Sequence, residues 1–307
     1  MKAAFFNKHG GPEELQYGEY TEPVAGPGQV LVEVHAASVN GADWRVVAGS
    51  YGPVAFLPYS PGRDFSGVVC ALGEGVKDFK IGDEVFGVCD VGIEAAYAEK
   101  VAIREDIIAR KPAALTHIQT AAVALIGLTA LISVEDTLQL KAGETILIQG
   151  GAGGVASFAI QVAKHIGARV ITTASAANHD YLKTLGPDQI IDYNKEDFTK
   201  VVSNIDAVFD TVGGDVGTRA YDVLKPGGRA AFIASGGNAP ATTRSDVQGL
   251  RPKVGRDRAH LERTSALIAS GAVKLPEITV FALADAAKAN ALSKGRHFRG
   301  KLVLKVR

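Results

Sequence analysis

The chain changes its hydrophobic rhythm once. In the first third, apolar and polar positions alternate with strand period. Val30, Val32 and Val34 alternate with Leu31, Glu33 and His35 along 29–36, behind a Gly-Pro-Gly turn at 26–28. Further short strands are expected at 67–72, 84–88 and 96–102, separated by Gly73, Gly75 and the Gly82-Asp83 turn. Short strands with this punctuation predict a compact, β-rich, barrel-like domain. From Glu144 the runs become continuous. Five short runs, 145–149, 169–173, 189–193, 207–212 and 229–234, suit strands buried on both faces of a parallel sheet. Four are followed by a helical or polar stretch, which predicts βαβ units and a doubly wound α/β sheet.

Two helices stand out. One covers 155–166 and stops at Gly167. The other covers 257–270, with Asp257 as its cap, Leu261, Thr264, Leu267 and Ile268 on one stripe, and Gly271 after it. The tail, 300–305, returns to strand alternation, and 239–258 gives no clear pattern. The mostly apolar stretch 120–134 contains Gly127 and falls short of the ~20 residues a bilayer span needs. It reads as a buried helix pair. The opening MKAAFFNKHGG breaks at Asn7-Lys8 before an apolar core forms, so it does not read as a secretory signal. A soluble, cytoplasmic protein without a membrane partner is expected.

The change of rhythm coincides with a motif. Residues 150–156 read GGAGGVA, and Gly151, Gly153 and Ala156 match G-x-G-x-x-G/A. A strand precedes the motif and an amphipathic helix begins at Gly154-Val155, the setting of a dinucleotide fingerprint. Gly151 is expected to make the tight turn and Gly153 to let a pyrophosphate touch the backbone. The anion would sit on the free N–H groups at the helix start. At the end of the second strand an NAD site usually carries an acid for the ribose hydroxyl. Here the chain reads Thr172-Thr173-Ala174-Ser175, with no acid before Asp180. Ser175 can donate to a 2′-phosphate, and His179 and Tyr193 are further candidates, although no Arg or Lys occupies the turn. NADPH is favoured over NADH. Val212-Gly213-Gly214 and Ser235-Gly236-Gly237 follow the fourth and fifth strands, at the edge where open α/β sheets bind ligands, and should line the cofactor.

Composition narrows the rest. Lys+Arg and Asp+Glu number 33 each among 307 residues, so no basic excess attracts nucleic acid. Glycine, at 35 residues, is about 11% against a typical ~7%, which suits backbone approached closely by a ligand. Two cysteines, Cys70 and Cys89, exclude a disulfide scaffold and a four-cysteine zinc lobe. No G-x-S-x-G elbow marks a serine hydrolase.

Several further motifs fall in order: Ser38-Val39-Asn40, PGRDFSG at 61–67, Gly127-Leu128-Thr129 and RGKLVL at 299–304. With GGAGGVA between them, the chain resembles the medium-chain dehydrogenase/reductase superfamily over its whole length. Within it, the chain is similar to the zinc-independent, zeta-crystallin-like quinone oxidoreductases. The resemblance implies a GroES-like substrate domain at 1–123 and 272–307 around a Rossmann domain at 124–271, and a homodimer joined at the Rossmann sheet edge. It places Asn40 and Arg63 where zinc-dependent relatives carry Cys and His, so no metal is expected. Without metal, hydride donation to an already electrophilic acceptor is the easier chemistry, and quinones and α,β-unsaturated carbonyls fit.

The resemblance implies NADPH-dependent reduction of such acceptors. Asn40 would orient the nicotinamide ribose or the acceptor oxygen, Thr129 would face the nicotinamide, and Tyr51 would donate to a quinone oxygen. Lys301 would lie near the cofactor. Asp43-Trp44-Arg45 resembles an alkenal/quinone reductase branch with lysine at the third position. Arg45 can stabilise an oxyanion but is a poor proton donor. An enone or alkenal reductase, and an NADPH-binding redox-responsive protein with little turnover, are the alternatives. Plainer structural roles compete at several positions. Asn40 can close a turn, Asp43 can cap the next helix, and Trp44 and Tyr51 can be core or rim aromatics. Arg63 and Asp64 can form an ion pair, while His35 and His117 read as core or boundary residues.

Overall fold

The computed structural model describes residues 1–296 and 298–307. They form two compact units. One comprises Met1–Leu125, Arg256–Ala269 and Leu275–Arg307; the other comprises Ile126–Gly255 and Ser270–Lys274.

The first unit opens with an antiparallel pair, β1 (Lys2–Phe5) and β2 (Gln16–Glu19). There follow β3 (Gln29–Val39), helix α1 (Asp43–Val47), β4 (Asp64–Leu72), β5 (Glu84–Val88), β6 (Lys100–Arg104) and β7 (Ile108–Arg110). Along β3 the three valines are fully buried, as the alternation predicts, but Leu31 between them is buried too. The reason lies in its partners. β4 pairs along one edge of β3, with register shifts near Leu31 and Val34 that bend the strand. β6 covers only Gln29–Glu33 of the other edge. The strand expected at 96–102 begins at Lys100; Tyr97 and Ala98 instead bridge to β1.

Helix α2 (His117–Leu131) continues into a π-helical turn at Ile132–Thr137. The stretch read as a helix pair is therefore one helix, and Gly127 does not break it. At 21 residues and a mean hydropathy of 1.7, 117–137 is long and apolar enough to cross a membrane, but 78% of its most apolar window is buried within the protein. Ala121 and Ala122 pack on Ala36, which accounts for the small apolar side chains there.

The second unit alternates strands and helices. In order these are β8 (Thr145–Gln149), α3 (Gly154–Ile166), β9 (Arg169–Ala174), α4 (His179–Lys183), β10 (Gln189–Asp192) and α5 (Phe198–Val201). β11 (Ile205–Asp210), α6 (Gly214–Arg219), β12 (Leu224–Phe232) and the short β13 (Gln248–Leu250) complete it. All six strands are parallel, in the order β10-β9-β8-β11-β12-β13. Ile146, Leu147 and Ile148 are buried on both faces, as continuous apolar runs require. The winding reverses beside β8, so the crevice at its carboxyl end is the switch point of the sheet.

Helix α7 (Arg258–Ala269) belongs to the first unit, not to the parallel-sheet domain expected at 124–271. Its opening residue holds it there. The Arg258 guanidinium donates to the carbonyls of Ile108 (3.0 Å) and Glu105 (2.6 Å) and pairs with Asp78 (2.8 Å). Asp257 caps the helix as expected, accepting from the His260 N–H at 2.8 Å. The chain ends with β14 (Ile278–Ala282), α8 (Ala286–Gly295) and β15 (Lys301–Lys305). β15 inserts between β14 and the upper part of β3, giving the sheet order β14-β15-β3-β4-β5-β7.

Candidate active site

In the second unit, β8 ends at Gln149 and the chain turns at Gly150, whose φ of +78° is left-handed. The tight turn expected at Gly151 is therefore made one residue earlier. Gly151 is required for another reason: a Cβ there would stand 2.2 Å from Thr172 Oγ1 on β9. That hydroxyl is fixed, donating to the Ile148 carbonyl at 2.7 Å. Gly153 precedes α3 in extended conformation and supplies no side-chain cap. Among the described residues, the N–H groups opening the helix at Gly154 and Val155 thus have no side-chain acceptor. A Cβ at Gly153 would meet only the Gly150 carbonyl, at 3.3 Å. The protein itself does not require glycine there, whereas a diphosphate lying on the helix start would. These residues fit a dinucleotide.

Beyond β9, Ser175 begins a short turn and accepts a hydrogen bond from Asn178 Nδ2 (3.2 Å). His179 opens α4 with its Nε2 enclosed and without a hydrogen bond. Tyr193 follows β10 and is exposed. Asp180, the first acid after β9, pairs with Lys183 at 2.8 Å. The turn at Val212, expected to line the cofactor, is braced by its own strand. Its N–H donates to Asp210 Oδ1 (3.0 Å), and the Gly213 N–H donates to the same buried carboxylate. Asp210 thus closes this turn from beneath and takes its donors. Ser235 likewise closes its own turn, its hydroxyl donating to the Asn238 carbonyl (2.7 Å), with Gly236 left-handed at φ +80°. Thr129 is buried on α2, and its carbonyl accepts from the Ser133 hydroxyl (2.7 Å).

The first unit contains a buried polar cluster that sequence reasoning largely missed. Asn40 and Lys301, assigned separate roles above, are in contact: Lys301 Nζ donates to Asn40 Oδ1 (2.7 Å) and to the Val39 carbonyl (2.9 Å). Asn40 Nδ2 donates to Asp64 Oδ1 (2.7 Å). Asp64 also accepts from the Ser38 hydroxyl (2.8 Å) and the Leu125 N–H (3.1 Å). Both ends of the Asn40 amide are engaged, so it holds Lys301 against Asp64 instead of reaching out to a substrate. Lys301 is only 4% exposed, and two of its three donors are taken. Burial lowers the pKa of Lys301 and raises that of Asp64, each opposed by the other's charge.

Asp43 adjoins this cluster. Its Oδ2 accepts from the Asn40 N–H (2.8 Å) and the Tyr97 hydroxyl (2.7 Å), while Oδ1 has no hydrogen bond. It therefore fastens the turn before α1 and does not cap the helix after it. Burial pushes its carboxyl up to about 6, against the nearby Arg63 charge. The ion pair expected between Arg63 and Asp64 does not form. Arg63 pairs with Glu94 at 3.4 Å, because Asp64 points into the cluster. Arg45 donates to the Gly41 carbonyl (2.6 Å) and lies 4.5 Å over the Trp44 ring. Tyr51 is exposed, with the Arg63 guanidinium 5.7 Å from its ring centre.

No three His, Cys, Asp or Glu among the described residues stand together as a metal site. An amide engaged at both ends and a guanidinium occupy the positions noted for zinc ligands. This donor set does not fit a zinc ion.

His35 and His117 stack with ring centres 4.3 Å apart. His117 Nδ1 lies 2.8 Å from the Ser66 hydroxyl and Nε2 lies 3.1 Å from Glu84. The line resembles a hydrolytic triad, but Ser66 is fully buried and donates to the Val85 carbonyl (3.1 Å), so it is no nucleophile. Burial, and then His35, push His117 down to about 4, with Glu84 opposing and Lys111 reinforcing. The unfolded chain, at ~6.5, takes up this proton first. The stabilisation is complete above that value and is lost as pH falls towards 4. The urea midpoint should therefore fall between pH 7 and 4.5, and His117→Gln should flatten that slope. An unchanged slope would remove His117 as its source.

Two family models match the chain: the alcohol dehydrogenase GroES-like domain over residues 26–113, and zinc-binding dehydrogenase over 185–304. The chain is 33% identical to quinone oxidoreductase 1 of Escherichia coli, covering 97% of this chain and 98% of that one. It is 32% identical to the chloroplastic NADPH-dependent alkenal/one oxidoreductase of Arabidopsis thaliana, over 99% of this chain and 79% of the relative. Its fold superimposes on the Escherichia coli quinone oxidoreductase solved with NADPH at a TM-score of 0.91, with 29% identity and all of both chains covered.

Proposed function

The chain belongs to the quinone oxidoreductase family of the medium-chain dehydrogenase/reductase superfamily, and on that footing we propose NADPH-dependent reduction of quinones by hydride transfer without a metal. The observation that carries this reading is the uncapped glycine cradle at Gly153–Val155, followed by a second strand that ends without a free acid. Bound there, NADPH supplies the hydride. Gly153 leaves room for the diphosphate, and the Gly154 and Val155 N–H groups neutralise part of its charge. The Ser175 hydroxyl donates to the 2′-phosphate, beside His179 and Tyr193. On the acceptor side, Tyr51 donates to the quinone oxygen and Arg45 stabilises the charge that develops there. Arg45 remains protonated throughout, so water delivers the proton that completes the quinol. A homodimer in the cytoplasm is part of the proposal.

One observation favours a second reading. Asp43-Trp44-Arg45 resembles the alkenal reductase branch, and the Arabidopsis relative covers nearly all of the chain. Steady-state kcat/KM separates the two readings. With NADPH, 1,4-naphthoquinone should exceed an acyclic enone such as 3-nonen-2-one by about 10-fold, and NADPH should exceed NADH by a similar ratio, about 1.4 kcal/mol each. Faster turnover of the enone selects the second reading. A preference for NADH defeats the assignment of Ser175.

A further inference from the structure

Arg63 precedes β4, and its side chain is 14% exposed. Its Nε is enclosed, 3.4 Å from Glu94 Oε1. Glu94 is held in turn by the Tyr59 hydroxyl and by the Gly92 N–H (2.9 Å), both on Oε2. Burial and Glu94 push the Tyr59 hydroxyl well up, so it keeps its proton and donates to Glu94. This arrangement accounts for the inner edge of the guanidinium. The outer edge has no partner: Arg63 makes no hydrogen bond among the described residues, and Nη1 and Nη2, unlike Nε, are not enclosed. Donors of a largely buried arginine are normally filled. A planar pair of N–H donors left open matches two carboxylate oxygens.

The loops that carry Tyr51, Tyr59 and Glu94 expose apolar side chains. The Tyr51 ring lies against the guanidinium at 5.7 Å. Phe56 stacks on Tyr59, 5.5 Å between ring centres. Leu57 adjoins Phe56, while Val91 and Ile93 flank Gly92 on the loop that carries Glu94. All five are exposed. The charges facing Arg63 are Glu94, already paired on the Nε side, and Asp43. Arg256, whose own pKa burial and then Arg63 push down, adds a second cation to this field.

We infer that Arg63 anchors the carboxylate of an acidic aromatic acceptor, its open Nη edge taking the carboxylate oxygens while Tyr51 takes the ring. The inference rests on the quinone reductase reading and narrows its substrate class to quinones or enones that carry a carboxylate.

Binding tests it without turnover. By calorimetry on the full chain, 2-naphthoate should bind about 10-fold tighter than 2-naphthamide. Arg63→Gln should bring the two within about twofold, and Arg63→Lys should keep part of the preference through a point charge without the fork. Should Arg63→Gln fail to fold with Glu94 unpaired, Arg63→Lys carries the comparison. Equal affinity for acid and amide in the unsubstituted protein overturns the inference. Activity separates it from the parent reading, using 3-(1,4-naphthoquinon-2-yl)propanoate and its methyl ester with NADPH. A preference for the acid supports the anchor. Equal turnover of both overturns it and leaves quinone reduction standing. The expected naphthoate preference without turnover of either quinone supports the anchor and overturns quinone reduction.

Discussion

Gly153→Val is expected to lower NADPH affinity by about 100-fold, about 2.7 kcal/mol, with little change in the melting transition. The two halves of this expectation have separate causes. Position 153 is extended, at φ −73° and ψ 154°, which a β-branched residue adopts readily. Its Cβ would approach only the Gly150 carbonyl, at 3.3 Å, a contact that a few tenths of an ångström relieves. The apoprotein therefore has little reason to require glycine. The diphosphate does, because it must lie against backbone where the new methyl groups would stand. Gly151→Ala is the contrasting variant, since its Cβ would meet Thr172 Oγ1 at 2.2 Å and disturb β9 itself. Titration of NADPH fluorescence, with melting curves alongside, checks both. Unchanged affinity in Gly153→Val would place the diphosphate elsewhere.

The second large effect lies in the other unit. Lys301→Met should destabilise the protein by about 3–5 kcal/mol, the usual consequence of leaving buried charge without its counter-ion. Asp64 would keep its hydrogen bonds from Ser38, Asn40 and the Leu125 N–H but lose the ammonium that offsets its charge. Asn40 Oδ1 would lose its donor as well. Methionine nearly fills the lysine volume, so the loss reports charge and hydrogen bonding, not a cavity. Urea unfolding at pH 7 measures it. A cost below about 1 kcal/mol would mean that the burial of Asp64 does not depend on the Lys301 ammonium at neutral pH.

What the sequence made legible follows what depends on near neighbours. The period of 29–36 and the apolar run 145–149 report burial directly, and both lie within the observed strands. The glycine motif was placed correctly between strand and helix, yet the left-handed residue is Gly150. Choosing between adjacent glycines needs to know that β9 brings Thr172 against Gly151. The reach of 207–212 was overread, because Asp210 ends the strand by turning its carboxylate onto the next N–H groups.

Long-range pairings were less visible. Nothing near Asn40 signals that its amide meets a lysine 261 positions later. Nor does the dipeptide Arg63-Asp64 show that one side chain turns towards Glu94 and the other towards Ser38. Helix α7 was assigned to the wrong unit for the same reason. Its capping aspartate and stripe are local, whereas its attachment through Arg258 to the carbonyls of Glu105 and Ile108 is not.

The position of β15 has a consequence for how the chain assembles. Residues 126–255 are continuous and can close their parallel sheet as soon as they are made. The first unit cannot. The edge of β3 over Ala36–Val39 stays open until Lys301–Lys305, the last strand in chain order, arrives to cover it. The same strand delivers the ammonium that lets Asp64 be buried, so sheet closure and charge neutralisation are one event. The strands before residue 111 therefore wait for β15 as an unfinished sheet with an exposed edge and an uncompensated acid. Such pairings across great sequence separation are slow and prone to association, which makes this newborn segment the one most in need of protection until β15 is made.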